Sequence, residues 1–486
     1  MTGGGYRPST ATLTDFIMAN MTAGQVEACM EGTLLLGSRD TVISGVSIDS
    51  RTLHSGDLFF AIRGVVNNGH NYIPSAISKG ALGAVVDAAY DIPEKYPADR
   101  VLLRVNDTHR ALKDLAAEVR RQWAGSLVAI TGSMGKTTTK DFAAILLQAK
   151  YNVYRSPGNY NNLFGLPLSI FKLSPDDHIG IFEMGMSAPG EIAQMCRIAD
   201  PSVGIITNIA PVHLESMGTM AEIARAKGEL VEALPPHGAL IFNVDEEWSR
   251  GIAAHFRGEK ITFGLSKHAQ VRADEITVTG THETRFRIHC AGISRRTVIP
   301  VAGAHFVVNT LPAIALALHF DLTFDQVVEG LRELRQAPMR GQIVPFKEGF
   351  TIIDDSYNSN PEALKNMIQL LAKLPSFKRR ILVAGEMLEL GPESGRLHRE
   401  CGAWAAGCGI EIVVGVQGLA KEIAEGAVAA GATASRVHFF TEINPAIDFV
   451  SRSIQPGDLL LIKGSRGIHL EKMVQALRSH YQEQGR

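Results

Sequence analysis

The stretch LVAITGSMGKTTTK, residues 127–140, decides the fold. Its apolar start, LVAIT, fits a short buried strand, Gly132 and Gly135 fit a tight turn, and Lys136 with Thr137 fits the first turn of a helix. Backbone N–H groups in such a turn, added to the positive end of a helix, cradle phosphate oxygens. The lysine supplies charge and the threonine hydroxyl can ligate Mg²⁺. Position 130 is Ile, so the long G-x-x-x-x-G-K-[ST] pattern is reduced to Gly132-x-x-Gly135-Lys-Thr. The expected phosphate-binding set is Gly132, Ser133, Met134, Gly135, Lys136, Thr137 and Thr138; the competing reading is an ordinary strand-to-helix turn.

On either side of this loop the chain alternates short apolar runs with amphipathic ones. HIGIFEMG, GEIAQMCRIA, VGIITNI and MAEIARAKGELVEAL follow in order, which predicts a parallel sheet covered by helices. ITFGL, VRADEITVTG and ETRFRIHCAG alternate with period two and predict a small antiparallel β insertion. Upstream, VSIDSRTLHSGDLFFAIRG predicts a strand, a polar turn and a strand, followed by a helix-like PSAISKGALGAVVD. Asn106-Asp107 is expected to cap the helix ALKDLAAEVRRQW. Downstream, the polar Arg335–Gly341 segment reads as a linker, after which TIIDD, PEALKNMIQLLAKL, RRILVAGEM, IEIVVGV, RVHFF and DLLLIKG restart the α/β pattern. Asn360 before Pro361 fits an N-cap with proline at the first helical position. This last part has a dinucleotide-fold pattern without G-x-G-x-x-G, so NAD binding is not supported.

Composition sets the outer limits. A chain of 486 residues holds roughly two to four domains. A net charge of −2 argues against bulk attraction to nucleic acid or anionic membranes. Five scattered cysteines lack metal-type pair spacing and suit a reduced, cytoplasmic protein. The first residues, MTGGGYRPSTATLTDF, do not have the form of a secretory signal, and no apolar run approaches the ~20 residues of a membrane span.

Several residues have chemical readings of their own. Glu183 ends an apolar strand at the carboxyl edge, where open parallel sheets bind ligands, and is the expected Mg²⁺ partner of Thr137. His213 follows the strand VGIITN; a loop histidine alone says little. Lys227 lies beside the stripe Ile223, Ala226, Leu230, where a desolvated lysine could react as a neutral amine; a snorkelling surface lysine is the plainer reading. Asn159, Asn161 and Asn162 form a polar loop that binds substrate or simply turns. His305 and Asn309 share a helix face and could clasp a base or ribose. The Asp354–Pro361 junction is rich in polar groups, and Lys463, Ser465 and Arg466 follow a strand in a way that suits a carboxylate or phosphate.

Taken in order, SIDSR…GDLFFAIRG, TGSMGKTTTK, SPGNYNN, EMGMSAPGE, TNIAPVHLE, RAKGE, DDSYNSNP, AGEMLELG and KGSRG resemble the Mur ligases, the ATP-dependent peptide ligases of bacterial cell-wall synthesis. The resemblance covers nearly the whole chain. It implies a uridine-nucleotide domain at 1–105, a central ATPase at 106–336 and a dinucleotide-fold domain at 337–486 that closes over ATP. It implies addition of D-alanyl-D-alanine to UDP-MurNAc-tripeptide through an acyl phosphate by a monomeric enzyme with two Mg²⁺ sites. It also implies a carbamate on Lys227, which with Thr137, Glu183 and His213 would complete the metal ligands, and Arg340 reaching the γ-phosphate on closure. Ser50 and Arg51 are expected at the uridine nucleotide, Asp355 at ATP, and Ser187, Asn358 and Asn360 at substrate. Phe306 departs from the family's usual asparagine after the base-site histidine, and Met134 stands where a small or polar residue is usual.

Overall fold

In the computed structural model, which describes residues 17–64, 66–212 and 214–484, the strands gather into three sheets. The first has five strands, in the spatial order Thr33–Leu36, Val101–Val105, Gly83–Asp87, Asp57–Phe60, Gly45–Ser47; only the Thr33–Leu36 edge runs antiparallel. The expected pair around the Asp49 turn is present, with Val46 opposite Leu58. The helix expected over PSAISKGALGAVVD stops at Ser78, and Gly83–Asp87 is a strand instead. Gly80, at φ +97°, takes a left-handed turn that ends the helix and sends the alanine-rich stretch into the sheet.

Nine strands form the second sheet. Val153–Arg155, Ile179–Glu183, Ser126–Thr131, Val203–Ile206, Ala239–Asn243, Glu259–Gly264 and Val271–Thr279 are parallel neighbours in that order. Glu283–Cys290 and Ile293–Ile299 extend it antiparallel. The β insertion is therefore continuous with the main sheet. ITFGL belongs to the parallel part, a difference from the sequence expectation, because alternation reports which face is buried and not strand direction. The strand before the phosphate loop lies between those ending in Glu183 and Ile206, with Ile130 opposite Glu183 and Thr131 opposite Ile206. That register brings three carboxyl edges together around Gly132.

The third sheet orders Gln342–Pro345, Thr351–Asp355, Asp458–Lys463, Arg379–Gly385, Ile412–Val416 and Val437–Phe440, parallel except for its first strand. Asn360 caps the Pro361–Lys373 helix by accepting from Ala363 N at 2.9 Å, as the sequence predicts. One apolar cluster runs from Met18 and Leu58 through Leu112 and Leu115 of the Thr108–Gln122 helix to Phe182 and Leu230, joining the first sheet to one face of the second. Asp107 caps that helix by accepting from His109 N and Arg110 N. The third sheet keeps separate clusters on its two faces.

Two buried histidines fix a protonation state. His398 Nε2 accepts from Met387 N at 2.8 Å while Nδ1 meets Ser394 O at 2.7 Å, and His70 Nε2 accepts from Asp87 N at 3.1 Å. A ring accepting a backbone N–H is neutral, and burial holds both pKa values below the ordinary 6.5. Below that value the unfolded chain binds protons that the folded chain does not, so stability falls with falling pH. Thermal melts from pH 7.5 to 5 should show this decline, and His398→Gln should flatten part of it; an unchanged slope would count against His398 as a contributor.

Candidate active site

The phosphate loop is held by the strand beside it. Ser133 Oγ donates to Ala210 O at 2.9 Å, Met134 N donates to Asn208 Oδ1 at 2.8 Å, and Thr207 Oγ1 donates to Met134 O at 2.6 Å. Gly132 and Gly135 have φ of +148° and +78°, and a Cβ would stand 1.9 Å from Thr207 Oγ1 at the first and 2.2 Å from Asn309 Oδ1 at the second. Neither position admits a side chain without moving its neighbour. Met134 engages these partners through its backbone, so the departure there leaves the cradle intact. The Lys136–Leu147 helix follows with its N-terminus on the loop, and Lys136 Nζ folds back to donate to Gly132 O at 2.8 Å. Burial lowers the Lys136 pKa, with Glu183 acting against the shift and Arg340 adding to it. Thr138, next along, is half-buried.

Glu183 is the centre of the site. It is 4% exposed, receives Thr137 Oγ1 at 2.8 Å on one oxygen and Asn161 Nδ2 at 2.9 Å on the other, and has Lys140 Nζ at 3.8 Å. Burial alone would raise its pKa; the two lysines and these hydrogen bonds outweigh burial and hold it below the ordinary carboxylate value. Lys140, which sequence reasoning passed over, is buried and donates to Ser156 O at 2.8 Å and Gly158 O at 3.4 Å. It lies one turn after Lys136 on the same helix face, and that i, i+4 spacing is the signal that could have found it. It ties the Asn-containing loop to the helix. Within that loop Asn159 is exposed, while Asn162 Oδ1 accepts from Phe164 N and Gly165 N and so shapes the next helix.

Lys227 is 2% exposed on the Met220–Ala233 helix, so it is not a snorkelling surface lysine. Among the described residues it makes no hydrogen bond or ion pair. Burial lowers its pKa well below 10.5, and the charge of Lys136 lowers it further. His213 lies outside the described residues. From the linker before the third sheet, Arg340 reaches across to donate to Thr137 Oγ1 at 3.4 Å. The third sheet thus contributes directly to the phosphate loop.

His305, half-buried near that junction, has its pKa pulled down to about 4 by burial, with Asp355 opposing and Lys463 assisting. It is neutral near pH 7. Lys463 is buried and donates to Asp355 Oδ2 at 2.5 Å and Asn358 O at 2.8 Å, so it clamps the Asp355–Asn358 turn. Asn358 Oδ1 accepts from Ser359 N, Asn360 serves its helix cap, and Ser465 Oγ accepts from Leu388 N. Ser187 is exposed at the start of the loop before the Glu191–Ala199 helix. In the first sheet's turn, Ser50 is buried and its carbonyl accepts from Lys79 Nζ, while exposed Arg51 pairs with Asp49 at 2.7 Å.

The donors fit a hard cation. Glu183 and Thr137 offer oxygen atoms side by side beneath the loop, and Mg²⁺ takes oxygen ligands while keeping waters and substrate phosphates. Among the described residues no three His, Cys, Asp or Glu side chains converge. A second ion near Lys227 would need an oxygen donor that an amine lacks.

A phosphate loop, a buried ionised carboxylate and an arginine delivered from a separate sheet define an α/β enzyme acting at the terminal phosphate of a nucleotide. Family models match in three segments: the Mur ligase catalytic domain over 42–120, the Mur ligase middle domain over 130–317 and the Mur ligase glutamate ligase domain over 339–466. The UDP-N-acetylmuramoyl-tripeptide–D-alanyl-D-alanine ligase of Bacillus subtilis is 34% identical over 95% of this chain and 99% of its own length. A crystal structure of MurF from Acinetobacter baumannii superposes with a TM-score of 0.84 at 29% identity, covering 94% of this chain and 99% of that one. MurF ligase from Thermotoga maritima in complex with ADP gives 0.78 at 25% identity, over 90% and 97%. The chain belongs to the Mur ligase family.

Proposed function

We propose that this chain ligates D-alanyl-D-alanine to UDP-N-acetylmuramoyl-tripeptide at the expense of ATP, giving the pentapeptide precursor of peptidoglycan. The observation that carries the catalytic part is Arg340 at 3.4 Å from Thr137, which joins the third sheet to the phosphate loop. The acceptor follows from the full-length relatives that bear this name.

The tripeptide carboxylate attacks the γ-phosphorus of ATP, ADP leaves, and an acyl phosphate forms. The dipeptide amine then attacks the acyl carbon; the tetrahedral species loses its amine proton and expels phosphate, leaving an amide. Loop N–H groups and Lys136 hold the phosphates, Arg340 adds positive charge at the γ end, and Asn161 and Lys140 fix Glu183. Mg²⁺, held by Glu183 and Thr137, supplies charge neutralisation when bound. Lys227, as a carbamate, would provide the oxygen donor for a second ion, with His213 its expected neighbour.

The first unit, to about residue 105, takes the uridine nucleotide through the Ser50–Arg51 turn, and His305 with Asn309 and Asp355 faces the base and ribose of ATP. The side chains of Ser187 and Asn159, at loop positions left exposed, and the Asn358 and Arg466 turns take up substrate. The enzyme works in the cytoplasm as a monomer; among the described residues no helix is long and apolar enough to cross a membrane.

Phosphate release from ATP with UDP-MurNAc-tripeptide, comparing D-Ala-D-Ala, diaminopimelate and glutamate as acceptors, tests the assignment. Release should depend on the dipeptide alone. Stimulation by either amino acid and none by the dipeptide would transfer the chain to another member of the family.

A further inference from the structure

Arg340 does not reach the phosphate loop unaided. Its guanidinium lies 3.9 Å from the centre of the Tyr357 ring, and Arg466 approaches the same ring at 5.6 Å. Tyr357 N donates to Met339 O at 3.3 Å, and Arg466 Nη1 contacts Met339 Sδ at 3.9 Å. The turn preceding Arg340 is thereby pinned to the loop carrying the ring. Met339 at φ +60° and Gly341 at φ +79° flank the arginine with left-handed backbone. Gly341 N donates to Asp354 O, and Gln336 Nε2 donates to Gly341 O at 3.0 Å. The backbone on both sides of Arg340 is fixed to the third sheet and its linker, leaving the long side chain as the movable part.

We infer that Tyr357 is a positioning residue for the ligation reaction: its ring face holds the Arg340 guanidinium aimed at the phosphate loop. This rests on the function proposed above. An unrestrained arginine side chain loses much rotamer freedom each time it meets a phosphate. A ring stacked against it limits that freedom beforehand and attracts the cation through its quadrupole. Both Arg340 and Tyr357 belong to the third sheet's side of the molecule, so the stack persists when the contact to Thr137 is broken. Arg466, on the same ring, repels Arg340 and disfavours its retreat over that ring. The ring face does this and not the phenol: among the described residues the Tyr357 hydroxyl makes no hydrogen bond.

The test is a double-mutant cycle on Arg340→Ala and Tyr357→Leu, with Tyr357→Phe as the conservative variant. A cation–π stack contributes a factor of about 2 to 30. Tyr357→Leu should therefore lower kcat about tenfold with KM for ATP changed less than about threefold, and Tyr357→Phe should restore it. In the Arg340→Ala background Tyr357→Leu should cost less than about a further twofold, because the residue it positions is gone. A second cycle reads the affinity ratio of a non-hydrolysable ATP analogue to ADP, which senses the γ-phosphate and needs no acceptor. Additive losses in both cycles, or a Phe variant as impaired as Leu, would overturn the inference. If wild-type phosphate release ignores the dipeptide, the acceptor assignment fails, and the affinity cycle still decides on Tyr357. Thermal melts accompany every variant, and Tyr357→Met replaces Leu if the latter unfolds.

Discussion

Lys136→Ala is expected to lower kcat by about a hundredfold or more, ~3 kcal/mol of transition-state stabilisation, without loss of thermal stability. Among the described residues the side chain makes one hydrogen bond, to Gly132 O, and it belongs to none of their apolar clusters. Its removal takes a partly desolvated cation out of the fold while Glu183 keeps Thr137, Asn161 and Lys140. What is lost is the charge facing the β- and γ-phosphates, where negative charge shifts during phosphoryl transfer. Steady-state phosphate release checks the effect, and a variant keeping more than about a tenth of the wild-type rate rules the role out.

Lys227→Ala should inactivate the enzyme to a similar degree, and acetate or formate should restore part of the activity. The buried amine has no hydrogen-bonding or ion-pairing partner among the described residues, and burial with the charge of Lys136 favours its neutral form. A neutral amine adds CO₂ and loses a proton, becoming an anion able to hold Mg²⁺. A carboxylate diffusing into the vacated space would replace that anion. A lysine acting as a plain cation predicts the reverse, rescue by small amines and none by carboxylates. Density ending at an ordinary ammonium in a Mg²⁺- and ATP-bound crystal grown with bicarbonate would end the carbamate reading.

The phosphate loop was legible because its requirements are local: two glycines, a lysine and a hydroxyl at fixed spacing before a helix. The Asn360 cap was legible for the same reason. Glu183 could be picked out because a strand end has a known place relative to a parallel sheet. Lys140 carried a local signal, its i, i+4 spacing from Lys136, but its partners Ser156 and Gly158 lie on another segment, and the stacking of Tyr357 on Arg340 depends on a contact that no local pattern announces. Lys463 was expected at a carboxylate or phosphate of the substrate; the carboxylate it meets is Asp355 of the protein itself, on a neighbouring strand 108 positions away. The alanine-rich run after Gly80 misled for a different reason: burial on both sides of a parallel strand erases the alternation that identifies one.

The shared cluster through the Thr108–Gln122 helix has a mechanical consequence. The first sheet and the ATPase sheet cannot part without exposing a continuous oily seam, so they act as one block, whereas the third sheet meets the second through apolar packing at Ala302 and Val278 and through polar contacts such as Arg340 to Thr137. Excising the first sheet would therefore damage its neighbour rather than merely delete a binding module. On the function proposed above, any displacement of the third sheet would carry Arg340 with it, and so would change the charge delivered at the phosphates.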